Sequence, residues 1–140
     1  MDISEQTAQE PPRIIRESSP GGSVSGALAL YDVMKAVSCP IRTVCLWEAR
    51  GAAALLLAAG DRRDILPHGR VSLHIPVSSR LGMGDASPEP QNSREWAVEL
   101  LAQLTEKSRE ETEAALQSES WLSAEEAMAF GLTDCVIEAL

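Results

Sequence analysis

Basic residues are few in this chain: 12 Lys and Arg stand against 21 Asp and Glu among 140 residues, a formal charge of −9. Nonspecific affinity for a phosphate backbone depends on clustered Lys and Arg, so the composition disfavours nucleic acid as a partner. Cysteine is scarce too, and Cys39, Cys45 and Cys135 are odd in number, lack metal-ligand spacing and sit among apolar neighbours. They read as buried free thiols in a reducing compartment, with neither a disulfide nor a metal expected. Residues 1–12 have no basic start and no apolar centre, which argues against a secretory signal, and the longest apolar run, residues 51–60, is too short to cross a bilayer. A cytoplasmic location without membrane contact is expected. There is no internal repeat, and no cofactor is expected.

What is present fits one domain, since a chain of this length can bury about two thirds of its unfolded surface. Residues 1–12 are polar and end in Pro11 and Pro12, a composition that cannot offset ordering entropy, so they read as a disordered lead-in to a domain over residues 13–140. Ile14 and Ile15 suggest a short strand that feeds a turn at Pro20, Gly21 and Gly22. Val24, Leu28, Tyr31, Val33, Met34 and Val37 recur near helical spacing, which predicts a helix over residues 23–36 that Cys39-Pro40 closes.

Residues 43–47 read as a buried parallel strand and residues 49–59, almost all Ala and Leu, as a buried helix. The charged residues 61–64 read as a turn, and Val71, Leu73 and Ile75 alternate with polar neighbours in a strand that His74 ends. Residues 76–92 read as a loop. Ser93 then caps a helix whose Trp96, Leu100 and Leu104 share a face. A second, solvated helix follows over residues 109–118. Ser123 with Glu126 forms a capping box, Gly131 stops the short helix of residues 124–130, and residues 135–137 make a last strand. Strands alternating with helices imply an α/β fold with a largely parallel sheet.

Four ordered blocks carry chemistry. Ser19-Pro20-Gly21-Gly22-Ser23-Val24 comes first, then Gly51 at the head of the Ala and Leu run, then residues 66–76, "LPHGRVSLHIP", and last residues 121–137, "WLSAEEAMAFGLTDCVI". This pattern resembles the ClpP family, the proteolytic subunits of ATP-dependent Clp proteases. The resemblance implies a ClpP/crotonase-like spiral of strand-strand-helix units, here N-terminally truncated because only about eighteen residues precede the Pro-Gly-Gly turn. It places His74 at the family's general base and Glu119 at its triad aspartate. The amides of Gly22 and Ala52 would supply the oxyanion hole, and Gly21, Ser23, Val24 and Ile75 the substrate groove.

The nucleophile position falls on Gly51. A serine peptidase needs an attacking oxygen, an imidazole to take its proton and an acid to fix the imidazole tautomer. Losing the first costs on the order of 10⁶ in kcat. Cys45 belongs to the preceding strand and Ser38 lies before it, so neither replaces the missing hydroxyl. Glu119 keeps the carboxylate with one more methylene, and Ser-His-Glu triads occur in other hydrolases; a solvated helix-end acid is the other reading of Glu119.

The resemblance therefore implies a catalytically inactive homologue that joins ClpP-type paralogous subunits, in a homo- or hetero-oligomer, as a structural or regulatory part of the ring. The alternative is a weak, serine-independent hydrolase that uses His74 and a backbone oxyanion hole. Three departures bear on partners. The opening segment that docks a Clp ATPase in the family is missing. The stretch from His74 to Trp121 is about one helical turn short. Pro88 and Pro90 interrupt the start of the family's ring-joining helix.

Overall fold

The computed structural model describes residues 13–19, 23–75 and 91–140. Its elements run β1 (Arg13–Ser19), α1 (Val24–Ala36), β2 (Ile41–Arg50), α2 (Ala52–Ala58), β3 (Arg62–Ile65), β4 (Arg70–Ser72), α3 (Gln91–Thr105), α4 (Arg109–Gln117), β5 (Leu122–Ser123), α5 (Ala124–Phe130) and β6 (Cys135–Val136). The six strands form one sheet, parallel except where β4 meets β5. The α/β class with a mostly parallel sheet is the one expected.

Strand β2 is central. Along one edge it pairs with β1 from Arg13↔Ile41 to Glu17↔Cys45 and again at Ser19↔Ala49, with an irregularity between. Along the other it pairs first with β3, over Arg42 to Cys45, and then with β4, over Glu48 to Arg50. Thr43, Val44 and Cys45 are all fully buried, as successive residues of a strand covered on both faces must be. The Thr43 hydroxyl, which would be costly to bury alone, donates to the Leu57 carbonyl at 2.7 Å.

Helix α2 lies against β2, and six of its seven residues are buried. Leu55 and Leu57 join Ile65, Val71, Leu101, Leu116 and Leu132 in the main core, each such side chain contributing about 1.5–3 kcal/mol relative to exposure. The sequence places this helix too early, at residue 49. Ala49 and Arg50 lie in β2, opposite Val71 and Ser72 of β4, because ladder pairing outweighs the helix preference of a lone Ala.

Residues 61–64 are a second correction. They are not a turn: Arg62–Ile65 is strand β3, paired with β2 and β6. Its Asp64 is fully buried and accepts from Arg42 Nε at 2.7 Å and Arg62 Nε at 3.0 Å, so the charges that suggest a turn are consumed as an internal ion cluster. Arg63, on the same strand, is bonded to Asp134 (2.7 Å) and donates to the carbonyls of Gly131 (2.7 Å) and Ala58 (3.3 Å). One guanidinium thus satisfies carbonyls at the C-terminal ends of α5 and α2.

Further differences follow from packing. Helix α3 begins at Gln91, inside the stretch expected to be loop; of the expected apolar face Trp96 is 56% exposed, whereas Leu100 is buried and Leu104 packs against the core beside Ala97, Val98 and Leu101. Helix α4 is not wholly solvated, since Thr112 and Leu116 are buried. The two-residue strand β5 went unseen because two residues carry no periodicity. Of the cysteines only Cys45 is buried; Cys39 is half-buried and Cys135 exposed.

Ser93, expected to cap α3, lies inside that helix because it begins two residues earlier, whereas the caps of α5 agree with the reading from sequence. Ser123 and Glu126 form both bonds of a capping box, and Gly131 ends α5 in the left-handed region at φ 99°. A Cβ at Gly131 would stand 2.9 Å from the Thr105 carbonyl oxygen, so the glycine serves both backbone angle and close approach. Among the described residues no helix is long and apolar enough to cross a membrane.

Candidate functional site

The chain leaves β2 at Arg50 and turns into α2 at Gly51, whose φ of 59° and ψ of −119° L-residues rarely adopt. The turn is fixed from both sides. The Gly51 N–H donates to the Ser72 carbonyl at 2.8 Å, and its own carbonyl accepts from Ala54 (2.9 Å) and Leu55 (3.3 Å). A strained strand-to-helix elbow of this kind presents a nucleophile in hydrolases that attack through Ser, because it lifts one side chain clear of the backbone. Here the elbow carries hydrogen. A Cβ built on it would lie 3.2 Å from the His74 carbonyl oxygen and 3.9 Å from Ile75 Cγ1.

His74 is therefore beside the elbow. It sits two residues beyond β4, half-buried, with its N–H 3.3 Å from the Ser72 hydroxyl. Its Nδ1 is buried without a hydrogen-bond partner among the described residues. In a working triad that nitrogen is held by the acid, which selects the tautomer that leaves Nε2 free to accept a proton.

Among the described residues no acid, Glu119 included, bonds this Nδ1. Glu119 is exposed, between the end of α4 and β5, and makes no hydrogen bond or ion pair with His74. A backbone bond ties the end of α4 to the site: the Ile75 N–H donates to the Leu116 carbonyl at 2.9 Å. The Ile75 carbonyl in turn accepts from Arg94 at 2.8 Å. Both backbone groups of Ile75 are engaged within the chain, and its side chain is buried. An added peptide strand would have to displace the Arg94 or Leu116 bond to use that residue.

Gly21 and Gly22 lie outside the described residues, as do Pro88 and Pro90. Ala52 is the first residue of α2 and is buried, so its N–H has no acceptor within the helix. The Ser23 hydroxyl caps α1 by accepting from Gly26 at 2.9 Å, and the Val24 side chain is in the main core at 2% exposure. Both side chains thus serve the scaffold.

Sequence reasoning overlooked Ser72, Arg94 and Leu116. A signal existed for Ser72: if Val71, Leu73 and Ile75 share one face, Ser72 and His74 share the other. Nothing local marks Arg94 or the Leu116 carbonyl, whose roles arise from tertiary contact. The assembled parts are an elbow without a nucleophile, the backbone of His74 beside it, and, among the described residues, no acid on the imidazole Nδ1. Among the described residues no cluster of His, Cys, Asp and Glu could hold a metal ion.

Comparison with known proteins matches this architecture. A family model described as Clp protease matches residues 5–139. The chain is 38% identical over 128 residues to ATP-dependent Clp protease proteolytic subunit 1 of Tropheryma whipplei strain Twist, covering 86% of this chain and 62% of that one. The protein named proteolytic subunit 2 in strain TW08/27 gives the same figures. Proteolytic subunit 1 of Bifidobacterium longum is 37% identical over 129 residues, covering 86% of this chain and 55% of that one. The chain thus spans about three fifths of the length of these curated relatives.

Proposed function

Because this chain belongs to the Clp protease family, we propose that it is a noncatalytic homologue of the proteolytic subunit, acting as a structural or regulatory partner of active ClpP-type subunits. The observation that carries the reading is Gly51: the positive-φ elbow next to His74 holds no side-chain atom that can attack a carbonyl. Oxyanion donors and a base without a nucleophile leave only binding and electrostatic stabilisation, on the order of 10⁶ below a complete triad in kcat. Among the described residues nothing holds Nδ1 of His74, at the base position, and Glu119, at the acid position, is exposed, which further weakens proton transfer to water as a substitute route. The amides of Gly22 and Ala52 are the proposed oxyanion donors.

Peptide turnover and fluorophosphonate labelling of the unaltered chain and of Gly51→Ser test the catalytic half. No turnover and no labelling of the unaltered chain are expected. Measurable turnover that disappears in His74→Ala would overturn the inactive reading in favour of a serine-independent hydrolase. Native mass spectrometry of the chain mixed with an active ClpP-type subunit from the same cell tests the other half, and a mixed assembly is the expected result. Absence of any mixed species would remove the structural role.

A further inference from the structure

Helices α1 and α3 pack against one another, and an open groove of about 260 Å³ lies between them. Its lining follows from helical spacing. Leu28, Tyr31 and Asp32 stand at i, i+3 and i+4 on α1, and Trp96, Glu99 and Leu100 stand at the same intervals on α3, so each triplet shares one face of its helix. Leu100 is buried and Leu28 packs half-buried against the main core, which gives the groove an apolar base. Tyr31 and Trp96 add aromatic rings, and Asp32 and Glu99 add exposed carboxylates.

Two observations distinguish this groove from an ordinary solvated surface. Trp96 is 56% exposed beside Tyr31 and Leu28, and a contiguous apolar patch rimmed by polar groups marks a contact site. The second observation is unanswered charge. No Lys or Arg lines the groove, and among the described residues neither Asp32 nor Glu99 takes part in a hydrogen bond or ion pair. Lys35, one turn along α1, illustrates what the site attracts: its Nζ stands 5.5 Å from the centroid of the Tyr31 ring.

We propose that the groove receives an arginine side chain from a basic segment of a partner protein. The guanidinium stacks on the rings of Tyr31 and Trp96 and donates to Asp32 and Glu99, while its methylene stem lies on Leu28 and Leu100. Arginine suits this lining better than lysine, because its planar cation is weakly hydrated and can stack and fork at once. Size selects a side chain over a whole small molecule, since pockets that enclose cofactors or drug-sized ligands span about 300–1,000 Å³. Charge selects a basic partner, because a chain of formal charge −9 draws cationic segments toward it.

The test is an NMR titration of the isotope-labelled full chain with a blocked Gly-Arg-Gly peptide, read at the indole N–H of Trp96, whose signal Trp96→Phe identifies by its loss. A saturable shift with a Kd of about 1 mM is expected. The citrulline peptide, a neutral isostere, should bind about tenfold more weakly, and the lysine peptide several-fold more weakly. Asp32→Asn combined with Glu99→Gln should raise the Kd of the arginine peptide by about tenfold, followed at the same indole. Circular dichroism and thermal melts show that the variants remain folded. No saturable shift at tens of millimolar, equal binding of the citrulline or lysine peptide, or indifference to the loss of both carboxylates would each overturn the proposal. Guanidinium chloride that binds as tightly as the arginine peptide would make the groove a site for a free small cation and overturn the protein partner. None of these readouts depends on whether Gly51 abolishes catalysis.

Discussion

A side chain at position 51 would have to accept φ 59° and ψ −119° and press a Cβ to 3.2 Å from the His74 carbonyl oxygen. Backbone strain of that sort costs about 1–3 kcal/mol. Gly51→Ser is therefore expected to lower unfolding free energy in urea by that amount, and Gly51→Ala by a similar amount; a variant as stable as the parent would show that the elbow relaxes freely. His74 makes the opposite case. Its buried Nδ1 has no partner among the described residues, a loss of about 1–3 kcal/mol against a satisfied group. His74→Leu should then change stability by less than about 1 kcal/mol or raise it. A fall of several kcal/mol in the same melts would mean that the imidazole is bonded in solution. Glycine at the elbow thus removes both the nucleophile and the strain that a nucleophile would carry.

Among the elements, those with their own local chemistry were legible in the sequence. The capping box of Ser123 and Glu126, the stop at Gly131 and the helical apolar spacing of α1 depend on residues within a few positions of one another, and each element formed as read. Elements whose identity rests on distant partners were not. Strand β3 reads as a charged turn until β2 and β6 close on it and Asp64 is buried between Arg42 and Arg62. The site divides the same way: Gly51 and His74 lie in recognisable blocks, whereas the orphaned Nδ1, the engaged Ile75 backbone and the exposed Glu119 follow from how separate segments meet.

The contact of β3 with β6 supplies the element-scale prediction. Asp134 is held below the usual carboxylate range, first by its hydrogen bond from the Arg63 side chain. A depressed native pKa adds stability that is present above the unfolded carboxylate value, about 4, and is lost as pH falls through the native one. Asp134→Asn should be less stable than the parent at neutral pH, and the gap should close as the urea titration is repeated down through pH 4 and below. A gap independent of pH would indicate packing rather than charge.

For the molecule as a whole, order radiates from one strand. β2 has neighbours along both edges, is capped by Asp61 at Ile41 N (2.8 Å), and is sealed by α2. Fraying from either end cannot expose its central amides, so they should exchange with solvent only when the entire domain opens. Native-state hydrogen exchange in low urea is expected to show the amides of Thr43 to Cys45 merging with the global unfolding free energy, and those of α1 exchanging at lower cost. Faster exchange in β2 than in α1 would contradict this hierarchy.

That placement has a further consequence for how the chain tolerates insertion and cleavage. A nick within residues 41–50 would sever every lateral neighbour simultaneously, so fragments divided there should not reassemble when mixed. A break near residue 107, where Lys107 joins α3 to α4 at the surface, spares the lattice of strands. Split-protein complementation should succeed at that junction and fail in the middle of the sheet.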